Sequence, residues 1–490
     1  MNGKIGVIGS GFAGLSAAIT LAHEGYKVTL FEKNKDLGGR ARKFEAQGFT
    51  FDMGPSWYWM PDVFENFFRR FGKQVSDYYQ LQRLDPSYKV VFGKGNVIDV
   101  PASLTELKKM FEELEPGASR NLDKFLSEAE YKYNVGMNDL VFKPGKNLSE
   151  FLDMRLAKGV FQLHVFQSIS SHIRKYFKHP QIIQILEFPV LFLGAMPKDT
   201  PALYSLMNYA DIVLGTWYPK GGMFKIVEGM VNLAKEFGVE FITESEVELI
   251  NIEGKASTGI TAGGVFYPLD AVIGGADYNH IEQNLLEKPY RNYTPEYWDK
   301  RKMSPSSLLF YLGVDEKVEN LEHHNLFFDR SFENHAKQIY QDPQWPDAPL
   351  FYVCCPSKTD ATVAPEGKEN IFILIPLASG LEGDDEATRE KYFKMVMDRM
   401  DEHTGQPFRD KIVYKKSYAL AEFKQDYHAF KGNAYGLANT LGQTAILKPS
   451  MHSKKIKNLI YTGQLTVPGP GVPPSLISGQ VAASEILKVL

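Results

Sequence analysis

The stretch "VIGSGFAGLSAA", Val7 to Ala18, constrains the fold of this chain more than any other. Ile5, Val7 and Ile8 predict a buried strand, and Gly9-Ser10-Gly11-Phe12-Ala13-Gly14 turns directly into an alanine-rich helix predicted over Leu15–Glu24, which Gly25 closes. "KVTLFEK" is then a second parallel strand ending on Glu32. Each part has a physical task. Gly9 permits the tight turn, Gly11 lets backbone N–H groups approach a pyrophosphate, and Gly14 lets the helix lie close to the strand with its N-terminus toward the phosphates. Glu32 lies 18 residues beyond Gly14, where a carboxylate takes ribose hydroxyls and rejects a 2′-phosphate. A glycine triplet alone is weak evidence. Between a strand and a helix, with an acid closing the next strand, it predicts a bound dinucleotide.

A chain of 490 residues exceeds one ordinary core, so two or three domains are expected. With 44% apolar and 23% charged residues it is globular, and a net charge of −4 without long basic runs excludes a nucleic-acid surface. Cys354 and Cys355 are adjacent, with no CxxC or metal-ligand spacing, and read as two small buried strand residues; no metal is expected. Met1 lies just before the first strand, leaving no targeting segment, and "FPVLFLGAM" (Phe188–Met196) is too short to span a bilayer. A cytoplasmic protein without a membrane span is expected.

Downstream of Glu32, "DLGGRAR" offers a second glycine turn with a cation beside it, and "GFTFDMGPSW" follows. This order, GxGxxG, an acid, then GGR, resembles the FAD-binding half of the amine-oxidase and phytoene-desaturase superfamily. The resemblance implies FAD, held by Gly9, Gly11, Phe12, Ala13, Gly14, Glu32, Lys33, Gly38, Gly39, Arg40 and Ala41. It also implies that Asp52–Trp57 approaches the isoalloxazine through Gly54, Pro55, Ser56 and Trp57.

Regular βα patterning stops after Trp57. Short strands "YKVVF" and "NVIDV" and the helical "SLTELKKMFEEL" follow, and then a mostly helical stretch runs from Ser119 to about Met207. Within it, "FQLHVFQSISSHIRKYFKHP" repeats Phe166, Ile169, Ile173 and Phe177 at one-turn spacing. His172, Arg174, Lys175, Lys178 and His179 add positive character, a pattern suited to an anionic membrane surface or to packing on its own domain. Gly221-Gly222 opens a second block with a helix predicted over Met223–Phe237, then the strand "VEFIT" and another at Val247. In the superfamily such a Val meets the adenine through its backbone, and Ala276 and Asp277 end the next nucleotide-domain strand. Apolar runs "SLLFYLGV", "LFYVCC", "NIFILIPL" and "KIVYKKSYAL" predict an antiparallel sheet as the floor of a substrate chamber. The expected fold is α/β, α+β overall, with three parts. These are a discontinuous Rossmann-like FAD-binding domain (1–82, 219–289 and 448–490), a substrate domain (83–121 and 290–447) and a helical insert (122–218) that could associate with a membrane.

The C-terminal "NLIYTGQLTVPGPGVPPSLISGQ" narrows the resemblance. It is similar to the bacterial-type phytoene desaturase signature through Asn458, Tyr461, Gly463, Thr466, Pro468, Gly469, Gly471, Val472, Pro473, Ser478 and Gly479, while Gln464, Leu465, Val467 and Pro470 depart from the commonest form. The segment "EFPVLFLGAMPKDTPALYSLMNYADIVLGTWYPKGGM" also resembles these carotenoid desaturases, so the likeness runs through nearly the whole chain. It implies a flavin oxidoreductase that introduces C=C bonds into a long polyene, by phytoene-type desaturation or by 3,4-desaturation of a hydroxylated or monocyclic carotene. Gly463, Gly471, Val472 and Pro473 would contact the cofactor, with Gly463 ending a nucleotide-domain strand and Gly469, Gly471 and Val472 letting backbone run under the isoalloxazine. The implied partners are a lipophilic carotenoid, a membrane surface met peripherally, and an electron acceptor such as quinone or oxygen. Flavin N5 can take a hydride from an allylic C–H, so no catalytic dyad is required. The chain has no GxSxG, P-loop or HExxH, and Asp52 is the candidate for a proton-transfer role. Rival readings are an amine oxidase, a carotenoid isomerase or saturase, and a non-enzymatic binder of prenylated proteins of the Rab GDP-dissociation inhibitor type.

Overall fold

A computed structural model of the chain describes residues 3–147 and 167–490. Its first layer is a parallel sheet whose five strands are scattered along the sequence: β1 (Lys4–Ile8), β2 (Lys27–Phe31), β3 (Glu240–Ile242), β4 (Ala271–Gly274) and β5 (Leu459–Tyr461). Their spatial order is β5-β4-β1-β2-β3, which places β1 centrally beneath the glycine turn. Helices α1 (Phe12–His23), α2 (Phe224–Glu236) and α3 (Val472–Ile486) cover this sheet. All of α1 from Phe12 to Ala22 is buried, which explains a helix of alanines and leucines with little polar face.

Small residues bring α1 and α3 together. A Cβ on Gly479 would stand 2.2 Å from the Ala13 carbonyl oxygen and 2.8 Å from Ser16 Cβ. The Ser16 hydroxyl donates to the Leu476 carbonyl at 2.7 Å across the same contact. The C-terminal segment therefore returns to the first βα unit, as its pattern predicts. Between β3 and β4 runs a three-stranded antiparallel sheet, Val247–Glu253, Ala256–Ala262 and Val265–Pro268.

The second layer is a seven-stranded sheet. Its order is Ile412–Tyr418, Ser306–Val314, Glu369–Leu377, Phe351–Cys354, His324–Phe327, Tyr88–Gly93 and Asn96–Val100. The predicted strands are all present, but His324–Phe327 runs parallel to Tyr88–Gly93, so the sheet is mixed rather than purely antiparallel. Every residue of Ser306–Val314 is buried. Leu308, Phe310 and Leu312 pack on helix Glu386–Thr404 through Phe393, Val396 and Met397, while Leu309 and Tyr311 face the other way. A strand covered on both faces has no reason to alternate polar residues.

Helix Ala118–Val135 and the shorter helices Pro180–Glu187 and Leu206–Ile212 close one end of this sheet. The basic stripe lies here, with Phe166 outside the described residues. Among its described residues Ile169–Ile173 is α-helical and Pro180 opens the next helix, and Ile169, Ile173 and Phe177 are fully buried in the protein's own core. His172 is buried too, beside Glu128, while Arg174 pairs with Glu187 and Lys175 donates to Gln167 at 2.8 Å. The described apolar residues of the stripe are thus consumed by packing. Among the described residues no helix is long and apolar enough to cross a membrane. Cys354 and Cys355 are buried free thiols, as read from the sequence.

Candidate functional site

The two sheets enclose a cavity of about 450 Å³ that begins at the glycine turns and runs into an apolar chamber. Its nucleotide end is built on the first turn. Gly9 has φ +92°, a left-handed conformation that favours glycine. A Cβ on Gly14 would stand 1.9 Å from the Gly9 carbonyl oxygen, so α1 lies as close to β1 as backbone allows. Gly11 is different: its φ is −66°, and a Cβ there would meet no atom within 4 Å. Its side-chain direction opens into the cavity. The second turn folds against the first. Gly38 donates its N–H to Ser10 Oγ at 3.1 Å, and a Cβ on Gly39 would reach Gly11 Cα at 3.1 Å.

Glu32 sits at the tip of β2, as its position predicts, and is already engaged. One carboxylate oxygen accepts from the Ser10 N–H (3.0 Å) and hydroxyl (2.6 Å). The other accepts from the Asn34 N–H (2.9 Å) and side-chain amide (3.0 Å). Four donors hold its orientation, and a ribose hydroxyl must share or replace one of them.

Arg40 projects into the same cavity. Its NH2 group donates to the Asn433 carbonyl at 3.2 Å, while its Nε is buried with no partner. Burial lowers its pKa, with Asp277 opposing that shift. Tyr427 lies between Arg40 and Arg42, with the guanidinium carbons 5.1 and 5.2 Å from its ring centre. Arg42 is in turn paired with Asp426 at 2.6 Å.

Of the site residues read from sequence, Gly9, Gly11, Phe12, Ala13, Glu32, Lys33, Gly38, Gly39, Arg40, Ala41, Gly54, Pro55, Ser56, Trp57, Val247, Ala276, Asp277, Gly463, Gly471, Val472 and Pro473 line this one cavity. Two do not. Gly14 stands behind the turn and acts through the close approach of α1. Asp52 is the larger correction. Its two carboxylate oxygens accept from the Met223 N–H at 2.7 Å and the Phe224 N–H at 2.9 Å, capping the start of α2. Burial raises its pKa to about 6 despite those bonds. It caps a helix terminus and does not line the cavity, a placement that does not carry the proton-transfer role read for it from sequence.

The C-terminal turn is braced from within. Ser478 Oγ accepts from the Thr462 hydroxyl (2.9 Å) and the Gly463 N–H (3.0 Å) and donates to the Val467 carbonyl (2.8 Å). This holds both limbs of the loop over the start of α3. Asn458 bonds the Ser257 and Asp270 carbonyls at 2.8 and 2.7 Å, so it serves the sheet. Gly469, expected under the isoalloxazine, instead faces Lys448 and Asn439 and does not line the cavity.

Sequence reading missed the chamber itself. Phe188, Leu191, Leu309, Leu326, Phe328, Leu350 and Leu374 line it. They come from distant strands and helices, and no local pattern marks them. Its titratable groups are muted. His335 accepts the Leu350 N–H at Nδ1 (3.0 Å), lies 2.9 Å from the Pro376 carbonyl at Nε2, and burial lowers its pKa to about 4. Burial raises Tyr340, Tyr352 and Tyr435 above the ordinary phenol range. Asp426 and Tyr427, the last two residues of helix Leu420–Tyr427, also went unread.

The pattern of the flavin containing amine oxidoreductases matches residues 12–487. The chain belongs to that family. Within it the chain is 44% identical over 483 residues to the carotenoid 3,4-desaturase of Haloarcula japonica, covering 98% of this chain and 97% of that protein. It is 32% identical over 498 residues to the 4,4'-diapophytoene desaturase (4,4'-diaponeurosporene-forming) of Staphylococcus aureus strain Newman, covering 99% of each. A crystal structure of an oxidoreductase from Methanosarcina mazei superposes with a TM-score of 0.62 at 15% identity, covering 97% of this chain and 99% of that one, a likeness of fold.

The chain is an FAD-dependent oxidoreductase. The residues present fit that cofactor. Gly11 leaves its Cβ direction open, Arg40 lines the groove with its buried Nε unsatisfied, and the N-terminus of α1 lies where a diphosphate is stabilised by backbone N–H groups.

Proposed function

We propose that the chain desaturates a carotenoid, and that its step is of the 3,4 type rather than the phytoene type. The observation that carries the reading is the continuity of one cavity from the glycine turns to a chamber walled by Phe188, Leu309, Leu326, Phe328 and Leu374. The higher identity to a relative named for 3,4-desaturation supports the finer choice.

FAD, when bound, supplies the hydride acceptor for the allylic C–H. The remaining work belongs to the chain. Ser10, Gly11 and Gly39 present backbone to the diphosphate and Arg40 offers charge, while the loop Gly463–Pro473 and Gly54–Trp57 flank the flavin end. The apolar walls align the polyene. His335 has both ring nitrogens engaged, and the chamber tyrosines are held neutral by burial. None of these is an ionised base, so the proton lost from the neighbouring carbon passes to water.

The discontinuous division into nucleotide domain, substrate domain and helical part is a division of labour: the first holds cofactor and the second forms the chamber floor. The substrate's insolubility supports work at a membrane surface, and reoxidation by a quinone or oxygen. The test is to supply the FAD-loaded protein with a panel of carotenes in liposomes and follow product absorption. A red shift with a carotene already desaturated at its centre, and none with phytoene, is expected. No shift with any acyclic carotene overturns the reading.

A further inference from the structure

Behind Trp57, on the side away from the cavity, three metal-ligating side chains meet. His324 and Cys354 are cross-strand partners in the second sheet, and His323 precedes His324. One ring nitrogen of each histidine and the Cys354 sulfur lie within 4.8 Å of one another. His323, His324 and Cys354 are 2%, 0% and 4% exposed.

The two imidazoles are oriented from behind. His323 Nδ1 is 2.6 Å from the Thr359 hydroxyl and His324 Nδ1 is 2.6 Å from the Tyr352 hydroxyl. In each ring the other nitrogen, Nε2, is buried without a partner. Buried ring nitrogens are nearly always satisfied, and two orphans on adjacent imidazoles beside a thiol are unusual. A hydroxyl holding one ring nitrogen while the other is free for a cation is the arrangement that metal-binding histidines use.

We propose that His323, His324 and Cys354 bind a thiophilic closed-shell cation, Zn²⁺ or Cu⁺. Two imidazoles and one thiolate suit either ion, Cu⁺ in a trigonal set and Zn²⁺ with an added water. Binding forms one metal–sulfur and two metal–nitrogen bonds and releases the Cys354 thiol proton to solvent; no electron moves. Without a cation, burial pushes the Cys354 thiol up to about 12, so the ion itself must displace that proton. The role is structural. The Trp57 ring stacks on His324 at 4.0 Å and 13°, so a cation there would tie His324–Phe327 to Phe351–Cys354 and fix the aromatic wall of the cavity. The linear spacing of the ligands gives no sign of this, because strand pairing brings Cys354 to His324.

The test uses the full-length, FAD-loaded protein purified from cells supplied with zinc and copper. Elemental analysis should find about one equivalent of zinc or copper per chain, and its identity separates the two ions. X-ray absorption at that metal's edge should show one sulfur at about 2.3 Å and nitrogens at about 2.0–2.1 Å if the ion is zinc. Cys354→Ser should lower metal content at least about tenfold with FAD content unchanged, in line with loss of a ligand. If that variant fails to fold, the wild-type metal content and absorption spectrum decide alone. Wild-type protein holding less than about 0.1 equivalent, or an edge spectrum without sulfur, overturns the proposal.

Discussion

Gly11 and Gly14 are three residues apart, and the structure separates their tasks cleanly. Replacing Gly14 by alanine puts a Cβ 1.9 Å from the Gly9 carbonyl oxygen, where ordinary contact begins near 3.4 Å. The obstacle is backbone, so α1 must move off β1 by about 1 Å or more, and overpacking of this kind costs about 1–3 kcal/mol. Gly14 lies inside α1, where alanine would otherwise gain about 1 kcal/mol of helix propensity. Overlap with backbone at 1.9 Å puts the cost at the upper end of that range, so a net loss of about 2 kcal/mol is expected, with the phosphate turn displaced.

Replacing Gly11 by alanine puts the Cβ in open cavity at a φ that alanine adopts readily. The change in intrinsic stability should stay within about 1 kcal/mol, the range of N-cap effects, while the methyl occupies space a diphosphate needs. Thermal unfolding of cofactor-stripped protein and titration with FAD followed by flavin fluorescence make the comparison. Gly14→Ala should lower the apo melting temperature by more than Gly11→Ala does. Gly11→Ala should weaken FAD by at least about tenfold, or 1.4 kcal/mol. Full FAD affinity in Gly11→Ala, or an unchanged apo melting temperature in Gly14→Ala, refutes the assignment of the cavity to the cofactor through this turn.

Other outcomes follow from the same geometry. Ser478→Ala strands the Gly463 N–H and the Val467 carbonyl, and should cost about 2–3 kcal/mol by denaturant unfolding, with FAD released at lower denaturant than in the wild type. Leu326→Trp fills the chamber away from the glycine turns, and should cut desaturation at least about tenfold at unchanged flavin content; equal loss of flavin would contradict the separation of the two ends. Glu485, buried on α3, would be raised by burial, but Lys146, Lys488 and His452 hold it down at about 2. A carboxylate held low contributes stability that is full above its unfolded value of 4.5 and lost as pH falls toward 2. Glu485→Gln should therefore cost about 1–2 kcal/mol at pH 7, allowing for solvent around Lys146 and Lys488, and flatten the acid limb of the melting curve between about pH 4.5 and 2. An unchanged acid limb would show that the cluster is not coupled to folding.

Much of this protein was legible in one dimension. The glycine turn, Glu32, the GGR turn and the C-terminal loop each carry local requirements: positive φ at Gly9, close backbone approach at Gly14, a helix start at Gly471. Such demands are met within a few residues, so they leave a readable trace; Val247 carries no such demand and was placed by likeness to the superfamily, and Asp277 by its position at a strand end, and both line the same cavity. Asp52 shows where adjacency misleads. It stands next to Met53 and Gly54 in sequence, yet strand alternation turns its side chain to the backbone of α2. The basic stripe misleads similarly, because periodicity gives an apolar face without saying what covers it. The amino-acid sequence thus determined the cofactor class, the order of strands and helices and the cofactor-binding turns. Tertiary structure alone decided the chamber walls, the bracing of Glu32 by Ser10 and Asn34, and the meeting of His323, His324 and Cys354. Each of these depends on strand register between segments tens to hundreds of residues apart, which local chemistry does not encode.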